Sequence, residues 1–290
     1  MIAIKISGLS KSYGGKKAVD NLSFEVAENS ICGFLGPNGA GKTTTFKLMA
    51  NLLDADAGEI EIVGDLRFLQ DVPELYGYMS AYEYLKFICD LNNLGSIDSK
   101  IRETLAVVGL SDAKNKRISS FSRGMKQRIG IAASIISKPK VLLLDEPISA
   151  LDPIGRKEVF DLLAKLRGKM TIMFSTHIID DIERVSDKVI IINHGKKIAD
   201  GTVDELKGRY LTNMVELKFV SEKEMLRFKK VFKPVDASSE SGPDTLRFKA
   251  GDPDAEQAIF KVLVTEKIRI LSFNVVAPTL EEIFIEEVAR

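Results

Sequence analysis

The sequence predicts an α/β protein of two domains, and three observations lead to this fold class. A glycine-rich loop lies between a short apolar strand, Ser30–Leu35, and a helix. Val141–Leu144 is an uninterrupted apolar run, typical of a strand buried on both faces of a parallel sheet. Later in the chain the pattern follows the order β-α-β-β-α-β, typical of a ferredoxin-like α+β unit. We therefore expect an α/β domain over residues 1–208 and a small α+β domain over residues 209–290.

The bulk composition is that of a soluble globular protein. Of the 290 residues, 45% are hydrophobic and 28% are charged. The 41 basic and 41 acidic residues cancel, which argues against a nucleic-acid binder that depends on bulk charge. Cys32 and Cys89 stand in apolar contexts, and we expect buried thiols in a reducing compartment.

No segment of the sequence predicts a membrane span. The first residues alternate as a strand, in contrast to a signal peptide. The longest apolar candidate, Ile129–Ser137, is far shorter than the roughly 20 residues needed to cross a bilayer. If the protein works at a membrane, another chain must span it.

The glycine-rich loop fits the phosphate-binding pattern G-x-x-x-x-G-K-[ST]. It consists of Gly36, Pro37, Asn38, Gly39, Ala40, Gly41, Lys42, Thr43 and Thr44. Glycines allow successive backbone N–H groups to turn toward one anion. Lys42 would reach the β- and γ-phosphates, and Thr43 would offer its hydroxyl to Mg²⁺. The following helix would present its N-terminus to the phosphates.

Residues 1–30 alternate as two strands around a polar turn, Lys11–Lys17. Tyr13 is the lone aromatic residue of that turn. Taken alone, it is best interpreted as packing on the sheet edge, although an exposed ring is also able to stack on a base.

Residues 75–137 read as a helical insertion in the α/β core, with helices at about 81–92 and 98–108. Ser122 is a favourable N-cap for a third helix, which runs to about residue 137.

Two acids, Asp145 and Glu146, end the strand Val141–Leu144, at the edge where α/β sheets bind ligands. A further buried strand, 170–175, leads to His177. Alone, such a histidine is more often structural than functional.

The small C-terminal domain shows no cluster that suggests chemistry, and we interpret it as a binding or spacing domain. Its predicted elements include a short strand at 234–238, a polar turn at 239–244 and a strand at 245–250.

Taken together, five motifs resemble an ABC ATPase, the nucleotide-binding subunit of an ATP-binding cassette transporter. They are Gly36–Thr44, Phe121–Arg128, Val141–Pro147, Ser149–Asp152 and His177. The resemblance covers about residues 1–208. It implies a P-loop NTPase fold with a RecA-like mixed sheet, an N-terminal antiparallel β subdomain and a helical insertion. The tail, 277–284, resembles exporter-type (ABC-2) ATPases for drugs and lipids.

The resemblance implies a role for each site residue. Tyr13 would stack on adenine, Asp145 would hold Mg²⁺ through water and Glu146 would polarise the attacking water. His177 would contact the γ-phosphate. A shortened connection near residues 64–72 leaves the loop residue at Mg²⁺ open: residue type favours Gln70, and alignment with commoner family versions favours Asp71.

Ser122, Arg123 and Gly124 resemble the signature motif, which in the family contacts ATP held by a second subunit. Arg123 replaces the first glycine of that motif. We hypothesise that it adds positive charge near the γ-phosphate of the partner's ATP.

The implied activity is ATP hydrolysis by a homodimer or heterodimer of such subunits, with Mg²⁺, driving an integral membrane permease. The implied location is cytoplasmic, peripheral on the inner face of the cell membrane, with no nucleic acid expected. The alternative is a soluble ATPase of the same type acting on nucleic acid or the ribosome. Those proteins resemble tandem cassettes or carry long coiled coils, neither of which is evident here. A P-loop kinase would leave Phe121–Arg128 and His177 unexplained.

Overall fold

The computed structural model describes most of the chain. The described residues are 1–149, 151–209, 214–232, 239–249, 253–276 and 279–289. The chain divides into two compact units, Met1–Val203 and Asp204–Arg290. The predicted domain boundary, residue 208, falls inside the helix Val203–Arg209.

The first unit contains an antiparallel three-stranded sheet of order β2-β1-β4. Its strands are β1 (Ile2–Tyr13), β2 (Lys16–Ala27) and β4 (Ala57–Ile62). The predicted polar turn at 11–17 is wrong, because both strands continue through it and leave only Gly14 and Gly15 between them. Both glycines have positive φ (55° and 83°), as tight two-residue hairpins require.

The second sheet of this unit is six-stranded and mixed, with the order β5-β6-β7-β3-β8-β9. Its strands are β3 (Ile31–Leu35), β5 (Leu66–Leu69), β6 (Val141–Leu144), β7 (Thr171–Thr176), β8 (Lys188–Asn193) and β9 (Lys196–Gly201). All neighbours are parallel except β8 and β9. The carboxyl ends of β3, β6 and β7 therefore meet at one edge, where α/β sheets bind ligands.

Among the described residues, six α-helices lie in this unit, and a seventh begins at its last residue, Val203. They are α1 (Lys42–Met49), α2 (Ala81–Leu91), α3 (Ile97–Val107), α4 (Arg123–Ile135), α5 (Pro153–Leu166), α6 (Ile179–Val185) and α7 (Val203–Arg209). The local sequence explains several starts. Ser80 forms a capping box with Glu83 at α2, and Asp152 accepts a hydrogen bond from the Gly155 N–H at α5. Helices α2 to α4 form the predicted helical insertion.

The core of the first unit includes a cluster built from the antiparallel sheet, the central sheet and α1. The rings of Phe24 and Phe46 each lie 5.7 Å from that of Phe34. Cys32 and Cys89 are buried free thiols, and burial raises the pKa of Cys32 to about 12. That thiol therefore stays protonated and unreactive at neutral pH.

The second unit follows the predicted order β-α-β-β-α-β, with one more helix at its end. Its elements are β10 (Met214–Phe219), α8 (Glu222–Val231), β11 (Ser239–Gly242), β12 (Thr245–Lys249), α9 (Pro253–Thr265), β13 (Ile270–Val276) and α10 (Leu280–Ala289). The antiparallel sheet has the order β11-β12-β10-β13. A core that includes Phe219, Phe228 and Phe248 supports it.

The predicted polar turn at 239–244 is wrong in part. Residues Ser239–Gly242 form strand β11, paired with β12, and only residues 243–244 make the turn. Pairing with β12 overrides the low strand propensity of serine and glycine here. The predicted strand at 234–238 lies outside the described residues.

Among the described residues, every helix is too short or too polar to cross a lipid bilayer.

Candidate functional site: a phosphate-binding cleft

The phosphate-binding loop joins the end of β3 to the start of α1. Gly41 has φ of 103°, and an added Cβ would lie 2.3 Å from the carbonyl oxygen of Ala18. Gly39 has φ of 81°, and a Cβ there would meet no atom within 4 Å. Gly41 therefore has no room for a side chain, whereas Gly39 faces the open space in which an anion can approach the backbone.

The loop borders a cleft of about 340 Å³. Its lining consists of Ala18, Asn38, Gly39, Gly41, Lys42, Thr43, Thr44, Asp71, Glu146, Ser149 and His177. The structure thus brings together the loop, one of the two predicted acids and the predicted histidine. Asp145, Tyr13 and Gln70 do not line this cleft.

Lys42 is buried at the base of the cleft, with 6% of its surface exposed. Its Nζ donates hydrogen bonds to the carbonyl oxygens of Gly36 (2.8 Å) and Pro37 (3.3 Å). The same ammonium lies 3.2 Å from Oε1 of Glu146. The cleft therefore holds a buried positive charge opposite a carboxylate.

Glu146 connects Lys42 to His177. Nδ1 of His177 lies 3.0 Å from Oε2 of Glu146. The glutamate backbone is in the left-handed region (φ 45°), which is uncommon for a residue with a side chain and marks local strain. The strained turn directs the carboxylate of Glu146 into the cleft, while that of Asp145 stays buried.

Ser175 is a buried residue that links the two acids, and the sequence prediction missed it. Its Oγ donates to Oδ1 of Asp145 (2.6 Å) and accepts from the backbone N–H of Glu146 (2.9 Å). One hydroxyl thus fixes the Asp145 carboxylate and the strained turn. The available signal was its position at the carboxyl end of the predicted strand that leads to His177, because side chains at that edge of a parallel sheet surround the ligand site.

Asp71, and not Gln70, reaches the cleft. Oγ of Ser149 lies 3.1 Å from Oδ1 of Asp71 and 3.1 Å from the carbonyl oxygen of Glu146. Gln70 is exposed at the end of β5. Of the two candidates for the loop residue at Mg²⁺, Gln70 and Asp71, the structure therefore brings Asp71 to the cleft.

Tyr13 ends β1 and is 48% exposed. Lys11 Nζ lies 5.9 Å from the centre of its ring. Lys11 is in turn held by Asp56 (2.9 Å), which also accepts from the backbone N–H of Ser12 (2.7 Å). The end of β1 is therefore anchored, while the ring stays open to solvent.

The signature residues lie at a different place in the same unit. Ser122 caps α4 by accepting from the N–H of Met125 (3.2 Å). Ser122, Arg123 and Gly124 line a separate cavity of about 460 Å³. That cavity and the phosphate-binding cleft share no lining residue.

The donor groups at the cleft suit Mg²⁺. The oxygen donors of the cleft include the hydroxyl of Thr43 and the carboxylates of Asp71 and Glu146, and the Asp145 carboxylate is buried. Within the described parts of the chain, no three His, Cys, Asp or Glu residues cluster as a metal centre. Mg²⁺ needs only one or two protein ligands when substrate phosphates and waters complete its shell, so this set fits.

Comparison with known proteins identifies the family. The ABC transporter family model matches residues 19–149, and the model of the DrrA1-3-like ATP-binding protein C-terminal domain matches residues 201–288. The uncharacterized ABC transporter ATP-binding protein YxlF of Bacillus subtilis is 38% identical, over 98% of this chain and 99% of its own length. The chain belongs to the ATP-binding subunits of ABC transporters.

Two relatives whose names state a role, and one solved structure, agree with this assignment. The daunorubicin/doxorubicin resistance ATP-binding protein DrrA of Streptomyces peucetius is 33% identical over 98% of this chain and 91% of its own length. The bacitracin transport ATP-binding protein BcrA of Bacillus licheniformis is 41% identical over 71% of this chain and 72% of its own length. A solved ATP-binding subunit of an ABC transporter superposes with a TM-score of 0.65 at 25% identity, covering 72% of this chain and 93% of its own.

The predicted fold class and family are therefore confirmed. As a member of this family, the chain binds ATP and hydrolyses it to power transport. The alternative of a soluble ATPase acting on nucleic acid or the ribosome is not favoured.

Proposed function

We propose that two copies of this subunit close face to face around ATP and Mg²⁺, each completing the other's site. The observation that supports this proposal is the separation of the two halves of the site. Ser122, Arg123 and Gly124 line a cavity distinct from the cleft of their own chain. A helix N-terminus is a favourable anion site, so the start of α4 is suited to a phosphate brought by a second chain.

Within each cleft, the residues divide the work of phosphoryl transfer to water. Lys42 and the loop N–H groups neutralise the phosphates, and Glu146 polarises the attacking water as general base. His177, 3.0 Å from Glu146, orients that carboxylate and contacts the γ-phosphate. When ATP binds, its phosphate oxygens take the place of the Glu146 carboxylate beside the Lys42 ammonium, so the Lys42–Glu146 ion pair must lengthen or break.

Thr43, Asp71 and, through water, Asp145 are the residues that would hold Mg²⁺. When bound, the ion would neutralise charge that develops on the β- and γ-phosphate oxygens. In this proposal Asp71 takes the loop role, because it lines the cleft and Gln70 does not.

Two residues outside the cleft complete the nucleotide site. The exposed ring of Tyr13 stacks on the adenine base. Arg123 adds positive charge near the γ-phosphate held by the partner. Exchange of Arg123 for glycine should weaken ATP-driven dimerisation and its salt dependence, and unchanged values would contradict this role.

The transporter partner is an integral membrane permease, which places the subunit on the cytoplasmic side of the membrane. Relatives are named for daunorubicin and doxorubicin resistance and for bacitracin transport. We infer export of a compound that the permease recognises. Co-purification of an integral membrane protein with the tagged chain tests this assignment, and recovery of RNA alone would contradict it.

The first test is trapping of the dimer by Glu146→Gln. Loss of the general base should leave ATP bound, and the variant should run as a dimer with ATP in light scattering and as wild type without it. Glu61→Gln, an exposed glutamate of β4, is the matched control. A monomeric Glu146→Gln chain at saturating ATP would refute the proposal.

The second test asks whether the site is shared between chains. Lys42→Ala disables the cleft and Ser122→Arg disables the signature. A mixture of the two variants contains heterodimers with one intact composite site and should regain ATP turnover that neither variant has alone. Absence of any regain would show that each chain works with its own signature.

A further inference from the structure

Thr176 is a buried residue at the carboxyl end of β7, directly before His177. Only 1% of its surface is exposed, and it does not line the phosphate-binding cleft. Buried hydroxyl groups in folded proteins are nearly always hydrogen-bonded, so the partners of such a group show what it holds in place. The partners of Thr176 lie in the turn that carries His177, in α6 and in the phosphate-binding loop.

The hydroxyl of Thr176 closes a short turn around His177. Its Oγ1 accepts a hydrogen bond from the backbone N–H of Ile178 at 3.0 Å. The side chain of the residue before His177 thus holds the backbone of the residue after it. The His177 side chain is 41% exposed, so its direction depends on this turn and on its contact with Glu146.

Asp181 of α6 orients the same hydroxyl. Oγ1 of Thr176 donates to Oδ2 of Asp181 at a distance of 3.3 Å. A hydroxyl has one proton to donate and lone pairs to accept, so donation to Asp181 leaves a lone pair for the N–H of Ile178. Asp181 is only 4% exposed, and a buried carboxylate is costly unless other groups hydrogen-bond to it. A chain of hydrogen bonds therefore runs from α6 through one hydroxyl to the turn.

This chain of hydrogen bonds is anchored to the strand that carries the phosphate-binding loop. A Cβ on Gly33 of β3 would overlap Cδ1 of Ile182, so α6 packs directly on the backbone of β3. The carbonyl oxygen of Thr176 accepts from the backbone N–H of Gly36, the first residue of the loop, at 3.3 Å. The turn at His177 is therefore held in one frame with the groups that bind phosphate.

We propose that Thr176, oriented by Asp181, is a positioning residue for ATP hydrolysis: it holds the turn from which His177 reaches Glu146 and the γ-phosphate. The proposal rests on the role proposed for His177 above. The preceding residue, Ser175, holds the two acids. Neighbouring hydroxyls of β7 thus have separate tasks, one for the acids and one for the histidine.

Thr176→Val tests this role, because valine keeps the shape of threonine and removes the hydroxyl. We expect kcat for phosphate release at saturating ATP to fall about 3- to 10-fold, the size of one lost hydrogen bond. ATP affinity, measured by calorimetry, should stay within about twofold, because the bond to Gly36 uses the backbone of Thr176. Thr176→Ser keeps the hydroxyl and should have the kcat of wild type, although it lacks a buried methyl group.

Thr171→Val is the matched control at the other end of the same strand. Thr171 is 2% exposed, and its Oγ1 accepts from the backbone N–H of Asn29 at 2.9 Å. This variant removes the same kind of hydrogen bond, so it should lose stability like Thr176→Val and keep the kcat of wild type. Equal loss of kcat in the two valine variants, or in Thr176→Ser and Thr176→Val, would overturn the proposal.

The two histidines of the sequence allow a direct view of the turn. Selective labelling of histidine rings gives NMR signals for His177 and His194 alone, and His177→Ala identifies which is which. In the nucleotide-free chain, Thr176→Val should shift or broaden the His177 signal and leave that of His194 in place. Thr171→Val should change neither. A His177 signal that Thr176→Val leaves unchanged would contradict the positioning of the histidine.

Asp181→Ala tests the other end of the chain of hydrogen bonds. It removes the acceptor of the Thr176 proton and should lower kcat by a smaller factor than Thr176→Val. Because both residues act through one hydroxyl, the double variant should turn over as slowly as Thr176→Val alone. Multiplication of the two separate factors would overturn the link between Asp181 and Thr176.

Failure of this proposal is distinguishable from failure of the role proposed for His177. If His177→Ala keeps the kcat of wild type, the histidine has no part in turnover and both proposals fall. If His177→Ala lowers kcat while Thr176→Val behaves like Thr171→Val, only the positioning role of Thr176 falls.

Discussion

The hydroxyl of Ser175 offers a direct test of how the two acids of the cleft are positioned. Ser175→Ala removes the donor to Asp145 at 2.6 Å and the acceptor for the Glu146 N–H at 2.9 Å. A hydrogen bond to a charged group contributes about 1.5–3 kcal/mol. Each 1.4 kcal/mol lost in the transition state lowers the rate about tenfold. We therefore expect kcat to fall roughly 10- to 100-fold, since both acids lose their fixed orientation.

The assay is phosphate release by the purified chain at saturating ATP, with nucleotide affinity measured separately by calorimetry. Because Ser175 does not line the cleft, ATP affinity should stay within about twofold while kcat and the Mg²⁺ concentration for half-maximal rate change. Ser175→Cys keeps the volume with a weaker donor and should be intermediate.

Ser134→Ala is the matched control for this variant. Ser134 is also a buried serine, and its Oγ donates to the Gly130 carbonyl oxygen at 3.0 Å in α4. It should lose stability with little change in kcat. If Ser175→Ala keeps wild-type kcat, or loses only as much as Ser134→Ala, the positioning role is refuted.

Four further predictions follow from the geometry. Asp71→Asn should raise the Mg²⁺ requirement of ATP turnover and Gln70→Ala should not, as Mg²⁺ titration of phosphate release will show. Tyr13→Ala should raise KM for ATP roughly 2- to 10-fold, the equivalent of about 0.5–1.5 kcal/mol of stacking. Phe228→Ala removes a fully buried ring of the second unit and should lower its stability by about 3–5 kcal/mol in urea unfolding. Burial raises the pKa of the Asp181 carboxyl above its ordinary 3.8, so the free energy of unfolding falls as pH rises through the raised pKa and the buried carboxyl ionises. Because asparagine cannot ionise, Asp181→Asn should make the free energy of unfolding depend less on pH in this range and should raise it at neutral pH, as urea unfolding at several pH values will show.

The phosphate-binding loop and the order of elements were predictable because they follow from local rules. Backbone freedom at Gly39 and Gly41, and the apolar run of β6, are properties of short segments. The edge of the sheet at which Asp145 and His177 meet follows from parallel strand order alone.

The choice between Gln70 and Asp71 was not predictable, because it depends on packing between distant segments. A Cβ on Gly130 of α4 would lie 2.9 Å from Cγ of Pro73, so helix and loop approach closely. The side chain of Asp71 is held at the cleft by the hydroxyl of Ser149, 78 residues further along the chain. Residue type, on which the preference for Gln70 rested, carries no information about it.

Adjacent acids with different tasks need a chain that turns between them. Asp145 is 3% exposed and held from behind by Ser175, while Glu146 enters the cleft between Lys42 and His177. The positive φ of Glu146 costs free energy that a helix or strand would avoid. It persists because the hydroxyl of Ser175 binds the N–H of that same residue. The strained backbone of Glu146 and the buried serine behind it are therefore two parts of one arrangement, which separates the proposed metal-side acid from the proposed water-activating acid.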